Sequence, residues 1–191
     1  RLPFLPITAV MILYTNLIED SFPNIALSFE PGEKDVMERP PLSKDEQILD
    51  KEAKFITYGI GILNDIILVG LFIYLLNMTG LVQNHVQTFI FAALGTNSSF
   101  IIYSIKSMSK PIWSYNLLDN PYLNIANLIG IFAMLFAIYA PFMNNVIGTV
   151  PLGLGEWAVI LSLGIGQVVM IEIAKFYFTR IKKSKLSLAS A

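Results

Sequence analysis

The stretch Phe55-Ile56-Thr57-Tyr58-Gly59-Ile60-Gly61-Ile62-Leu63-Asn64-Asp65-Ile66-Ile67-Leu68-Val69-Gly70-Leu71-Phe72-Ile73-Tyr74-Leu75-Leu76-Asn77 carries a single formal charge, Asp65. A helix that crosses a bilayer needs about 20 mostly apolar residues. The apolar positions here follow one another without the strict alternation of a barrel strand. The stretch therefore reads as a transmembrane helix. Working outward, four further stretches read the same way, at about 4–29, 87–107, 122–144 and 156–179. Turn-forming residues punctuate the gaps: Asn77-Met78-Thr79-Gly80, Asp119-Asn120-Pro121 and Gly148-Thr149-Val150-Pro151. The expected fold is an all-α integral membrane protein, a bundle of five transmembrane helices.

Composition leads to the same class. Of 191 residues, 54% are hydrophobic and 14% charged, against roughly 25% charged in soluble domains. Nearly half of the charged side chains crowd between Glu30 and Lys54. From 55 to 105 the only charge is Asp65, and from 120 to 171 the only one is Glu156. So few charges cannot clothe a water-exposed surface. A net charge of −1 without a basic face argues against nucleic-acid binding. The absence of Cys excludes disulfides and thiolate chemistry, and a lone histidine, His85, excludes a multi-histidine metal site within the chain. Residue 1 is Arg rather than Met, so further chain upstream is expected.

Lysine and arginine placement predicts the topology. Lys34, Arg39, Lys44, Lys51 and Lys54 lie in the 30–54 loop, and Lys106 and Lys110 follow the third span. Lys175, Arg180, Lys182, Lys183 and Lys185 end the last one. Alternate connections carry none, and only Arg1 falls on the opposite side. The N-terminus is thus expected outside and the C-terminus in the cytoplasm. The expected organisation is an ion-site helix over 1–29, a cytoplasmic loop over 30–54, a four-helix support bundle over 55–181 and a cytoplasmic tail over 182–191. The protein is expected to be multi-pass in the membrane, the plasma membrane if it is bacterial. A signal peptide over 1–25 does not fit, because Asn16, Glu19, Asp20 and Pro23 interrupt the apolar run and no small-x-small cleavage site follows.

The chemistry concentrates in the first span, at Asn16, Glu19 and Asp20. Offsets of three and four place them on one face of an α-helix. Two carboxylates and an amide form a hard-oxygen cluster suited to protons, alkali ions or hard divalent cations. An ionised Asp at a helix centre costs roughly 2.5–3.5 kcal/mol on insertion scales, so a proton, a cation or a basic partner must compensate. Pro23 lacks a backbone N–H and frees a carbonyl near these acids, as in the broken helices of transporters. The plainer alternative ends the span near residue 18 and leaves both acids in interfacial water. Against it, Phe22, Ile25, Leu27 and Phe29 prolong the apolar pattern.

The run Asn16-Leu17-Ile18-Glu19-Asp20-Ser21-Phe22-Pro23-Asn24-Ile25-Ala26-Leu27 resembles the sixth transmembrane helix of P-type cation-transporting ATPases. That family's pattern is Asn or Asp, two apolar residues, Thr or Asp, Asp, Gly, any residue, Pro, then Ala-rich positions ending in Leu. Glu30-Pro31-Gly32-Glu33-Lys34-Asp35-Val36-Met37-Glu38-Arg39-Pro40-Pro41 resembles the loop that follows it. Lys106-Ser107 and Glu172-Ile173-Ala174-Lys175-Phe176 resemble the ends of its eighth and tenth helices. The resemblance implies helices six to ten of a pump. It also implies Asn16, Glu19 and Asp20 as cation ligands, and partners in the bilayer, the upstream helices and the cytoplasmic domains. Mg-ATP and the transported cation are implied for the parent. The Asp-Lys-Thr-Gly phosphorylation motif is not in this sequence, so the segment is expected to hydrolyse no ATP alone. Glu19 stands where calcium-type pumps usually have Thr, Ser21 replaces Gly, and Leu42 replaces a basic residue. Thr96-Asn97-Ser98-Ser99 offers only neutral oxygens. These departures leave calcium, a proton and a monovalent ion open.

Other residues read as supporting structure. Asp65 is expected to be buried and bonded to a neighbouring helix, or else to serve as a further ligand. Gly59 and Gly61 invite close helix packing. Glu172 and Lys175 are spaced to pair, with Lys175 snorkelling to the interface. Glu156 suits a helix N-terminus, Trp113 and Trp157 read as interfacial anchors, His85 adjoins an external turn, and 184–191 reads as disordered. Two other functions fit the same residues: a proton-coupled secondary carrier using Glu19, Asp20 and Asp65, and a non-transporting membrane scaffold.

Overall fold

The computed structural model describes residues 3–32, 51–78, 80–108 and 110–189. The first membrane element is a broken helix: α1 (Ala9–Tyr14), a π-helical segment (Thr15–Asp20) and α2 (Ser21–Leu27). From residue 51 come α3 (Lys51–Lys54), a second π segment (Phe55–Ile60) and α4 (Gly61–Met78). Then follow α5 (Gln83–Ile105), a 3-10 turn (Ile112–Ser114), α6 (Pro121–Tyr139), α7 (Pro141–Ile147) and α8 (Leu154–Ala189). Four helical stretches are long and apolar enough to cross a membrane: 55–77, α5, α6 and 154–179. The broken helix is the fifth element of the bundle. The described residues contain no strand.

Helix α5 is the hub. It lies parallel to α8, with His85 against Glu156 at one end and Ser104 against Glu172 at the other. The broken helix packs in the groove between α5 and α6, parallel to α5 and antiparallel to α6. Tyr14 meets Phe91 edge-on and donates from its hydroxyl to the Ala133 carbonyl at 2.8 Å. At the other end Asn120 Nδ2 donates to the Ala26 carbonyl at 3.1 Å. In lipid, apolar side chains gain little by leaving hydrocarbon for protein, so association rests on close contact and on polar bridges. Small residues accordingly sit at the crossings: Ala92 and Ala93 are fully buried. A Cβ at Gly164 would lie 2.8 Å from Phe100 and 3.4 Å from Thr96. Outward faces are rich in large apolar residues, such as Ile62, Ile66, Val69 and Ile73 on α4. That arrangement suits hydrocarbon and not water.

Several expectations are revised. The span expected over 122–144 ends at Tyr139, because Pro141 holds Ala140 extended (φ −79°, ψ 122°) and starts α7. Carbonyls at this break are satisfied by side chains: Asn144 Nδ2 donates to Ile138 O at 2.9 Å, and Thr149 Oγ1 donates to Ala137 O at 2.5 Å. The tail expected to be disordered from residue 184 continues α8 to Ala189. Residues 180–189 contain no Pro or Gly and several good helix formers, so nothing stops the helix. Lys175 does not snorkel. It is 1% exposed, donates to Glu172 Oε1 at 2.8 Å, and also reaches the carbonyls of Ser104 and Lys110. Glu172 in turn accepts from Ser104 Oγ at 3.1 Å and from the Ile112 N–H at 2.9 Å. The expected Glu172–Lys175 pair thus pins the 106–120 connection to α8. Asp65 is exposed on α4; its neighbour Asn64 makes the buried interhelical bond, accepting from Asn97 Nδ2 at 3.1 Å.

The connections bearing Lys and Arg leave from one end of the bundle, together with the last turns of α8. The basic-free turns leave from the other, where Glu156 caps the start of α8 by accepting from the Gly153 N–H at 2.6 Å. His85 contacts Glu156 across 2.5 Å. Trp157 Nε1 donates to the Tyr139 hydroxyl at 2.7 Å, while Trp113 is exposed.

Candidate cation site

The site begins with a defect in the first helix. Pro23 supplies no N–H, and the backbone upstream of it widens to i→i+5 bonding, so that the Ser21 N–H donates to Asn16 O. Ser21 Oγ bonds the same carbonyl at 2.6 Å. Thr15 Oγ1 bonds back to Met11 O at 3.0 Å. These hydroxyl bonds shoulder the segment on both sides of the two acids.

Widening the turn changes which side chains share a face. Glu19 points into the protein and is 5% exposed. Asp20 is half-buried, and Asn16 points outward on the exposed face. The structure therefore does not gather the three expected residues on one buried face. An α-helical wheel assumes i→i+4 winding, and the π turn rotates Glu19 away from Asn16.

Glu19 lies between two glycines. On the α6 side a Cβ at Gly130 would stand 3.7 Å from Glu19 Cα. On the α5 side the carboxyl occupies the space that a side chain at Gly95 would fill. Both carboxyl oxygens are buried without a hydrogen-bond partner. Beside them runs a cleft of about 100 Å³ lined by Glu19, Asp20, Asn24 and Ser98, with an apolar floor from Ile101 and Ile102. Taking an ionised carboxylate out of water without a partner is costly, and a buried polar group without a bond calls for an explanation such as a bound ion. Other orphaned buried oxygens lie on the inner helices: Thr96 Oγ1, Asn97 Oδ1 and Gln167 Oε1. Among the described residues, no three His, Cys, Asp or Glu side chains come together.

Sequence reasoning missed Gly95, Ser98 and Gln167. In the sequence Ser98 is only one neutral oxygen in a polar run. Gln167 is a lone amide in the apolar stretch 157–171, which is a usable signal. Gly95 gave none, because a glycine's importance depends on what stands opposite it.

At the basic end, the outlet of the first helix is clamped. Glu30 Oε1 pairs with Lys106 Nζ at 3.0 Å, and its Oε2 accepts from Asn120 Nδ2 at 3.0 Å. Lys106 also donates to Asn116 O at 3.2 Å. Tyr115 donates to the Tyr103 carbonyl at 2.6 Å. Burial, and then the Glu172 and Glu30 carboxylates, raise its phenol above the ordinary 10.0.

A helical membrane bundle with an acid buried at a proline-linked break belongs to the class of polytopic membrane proteins with an intramembrane polar site. The chain belongs to the family described as cation transporting ATPase, C-terminus, which matches residues 4–177. It is 30% identical over 180 residues to the calcium-transporting ATPase of Bacillus subtilis (strain 168), covering 93% of this chain and 20% of that protein. It is 28% identical over 186 residues to calcium-transporting ATPase 1 of Bacillus cereus, covering 89% and 21%. Against calcium-transporting ATPase type 2C member 1 of Pongo abelii it is 28% identical over 172 residues, covering 89% and 18%. The chain thus spans about a fifth of the length of these relatives.

Proposed function

We propose that this chain is the membrane part of an ATP-driven cation pump, and that Glu19, Asp20 and Asn16 supply oxygen ligands to the transported ion. The observation that carries the reading is the Glu19 carboxyl, buried at a helix break with both oxygens unpartnered. A positive ion beside it offsets the desolvation cost and satisfies both atoms. Asp20, at the mouth of the same cleft, brings a second charge. Two carboxylates favour a divalent cation, and the relatives' names favour calcium; a proton or a monovalent ion uses the same oxygens.

Asn16 faces away from Glu19. It joins the site only with ligands from helices beyond this chain, which the upstream part of a complete pump would supply. In that protein Mg-ATP is the energy source, bound outside this segment. The bundle's role is to hold the broken helix in place. The Glu30–Lys106–Asn120 clamp ties the outlet of that helix to the end of α5 and the start of α6. The basic end of the bundle is assigned to the cytoplasm by the excess of Lys and Arg.

The test is ATP-driven uptake of radiolabelled calcium by vesicles carrying the complete protein. Glu19→Gln and Asp20→Asn are each expected to raise the half-saturating calcium concentration by on the order of 10-fold or more. Asp65→Asn, at an exposed position, is expected to leave it unchanged. Wild-type behaviour of both carboxylate variants across calcium concentration would remove these residues from the site.

A further inference from the structure

We propose that Gly95 is a positioning residue of the cation site: by carrying no side chain, it sets where the Glu19 carboxylate stands. This rests on the reading of Glu19 as an ion ligand. A Cβ built at Gly95 would fall 2.0 Å from Glu19 Oε2, 2.7 Å from Glu19 Cδ and 2.9 Å from Met134 Sδ. All three are inside the 3.0 Å that real Cβ contacts essentially never cross. All three belong to the far ends of flexible side chains. A methyl group at this position therefore moves the carboxyl, and the helix backbones can stay where they are.

The opposite wall explains why the carboxyl needs that space. Gly130 brings α6 close behind the broken helix, to 3.7 Å from Glu19 Cα and 3.9 Å from Ile18 O by its virtual Cβ. The Glu19 backbone is backed against α6, so its side chain extends toward α5. There it meets Gly95, the single glycine of α5. Glycine inside a 23-residue helix costs helix stability, and the contact with Glu19 supplies a reason for it. To clear an added methyl, Oε2 must retreat from 2.0 Å to at least 3.0 Å, a displacement of about 1 Å. Cation–ligand distances tolerate only about 0.2 Å, so such a displacement removes the oxygen from its coordination sphere.

The geometry also provides a background in which the clash is absent. Glu19→Asp shortens the side chain by one C–C bond, about 1.5 Å, which exceeds the clash. With Glu19→Asp in place the added methyl meets no carboxyl, although the shortened side chain no longer stands where the ion needs it. In vesicles carrying the complete protein, Gly95→Ala is expected to raise half-saturating calcium by on the order of 10-fold or more, with maximal uptake per folded molecule little changed. In the Glu19→Asp background, itself weakened because the carboxyl is drawn back, Gly95→Ala is expected to add little further loss. Reaction of residue 19 with a hydrophobic carbodiimide, followed by peptide mass spectrometry on the same membranes, reads the carboxyl's position independently of transport. Gly95→Ala is expected to change that reactivity several-fold.

Unchanged half-saturation and unchanged labelling in Gly95→Ala would overturn the proposal. So would a Gly95→Ala loss of equal size in the Glu19→Asp background, since that marks a packing role alone. If Glu19→Gln transports calcium normally while Gly95→Ala still alters labelling, the ion-ligand reading fails and the Gly95–Glu19 contact stands as structure only.

Discussion

Replacing Lys175 by Met removes one partner of a buried ion pair and keeps side-chain volume nearly constant. Lys175 is 1% exposed, and its ammonium contacts Glu172 Oε1 at 2.8 Å and the Ser104 carbonyl. Glu172 is equally enclosed and holds the Ile112 N–H at 2.9 Å. With the cation gone, the carboxylate stays buried among neutral donors, and breaking such a pair costs about 3–5 kcal/mol. For a domain of this size, 1 kcal/mol corresponds to about 2–4 °C, so the melting temperature is expected to fall by roughly 6–20 °C. Thermal unfolding in a mild detergent, followed by fluorescence-detected size exclusion, measures it. The double variant Lys175→Met with Glu172→Gln leaves no orphan charge and is expected to recover most of the loss. A single variant melting within about 2 °C of wild type would refute the reasoning. It would mean that the ammonium reaches water and the pair is solvated.

Three other outcomes follow from the same contacts. Asn120→Ala removes the N-cap of α6, where Asn120 Oδ1 accepts from the Leu123 N–H at 3.0 Å, and frees Glu30 and Ala26 as well. It should cost about 1–2 kcal/mol, with faster hydrogen exchange over 26–30. Tyr115 holds its proton above the ordinary 10.0. The stability linked to that proton is fully present below pH 10.0 and is lost as pH rises toward the folded-state value. Tyr115→Phe should flatten the alkaline fall in melting temperature. Gly164→Ala puts a methyl 2.8 Å from Phe100 at the α5–α8 contact and should cost about 1–3 kcal/mol, read as a lower melting temperature; Gly164→Val should cost more.

The membrane class was legible because it depends on a sum. About 20 consecutive apolar residues have one reasonable environment, whatever their partners, and the long helices fall close to where their composition places them. The acid-bearing turn was legible for a related reason: a carboxylate in such a run is too costly to be incidental. Its geometry was not. A wheel drawn at α-helical spacing puts Asn16 with Glu19, and the i→i+5 segment separates them. Asp65 and Asn64 show the same limit: adjacent polar residues face opposite ways, and packing against α5 chose Asn64 for the buried bond. Lys175 followed the usual rule for a lysine near a helix end only in its i, i+3 partner. Its burial comes from the 106–120 connection closing over it.

By itself the amino-acid order determined four long apolar helices and a fifth apolar stretch, the segregation of basic residues to alternate connections, and the position along that first stretch where acids interrupt hydrocarbon. These are one-dimensional properties, set by length, hydropathy and the missing N–H of Pro23. Only the tertiary structure decided that Glu19 is enclosed while Asn16 is not, that Gly95 and Gly130 form the walls of its berth, and that Lys175 is sealed inside. Each of those depends on which atoms of distant helices meet, and a helix turn that widens by one residue is enough to change the answer.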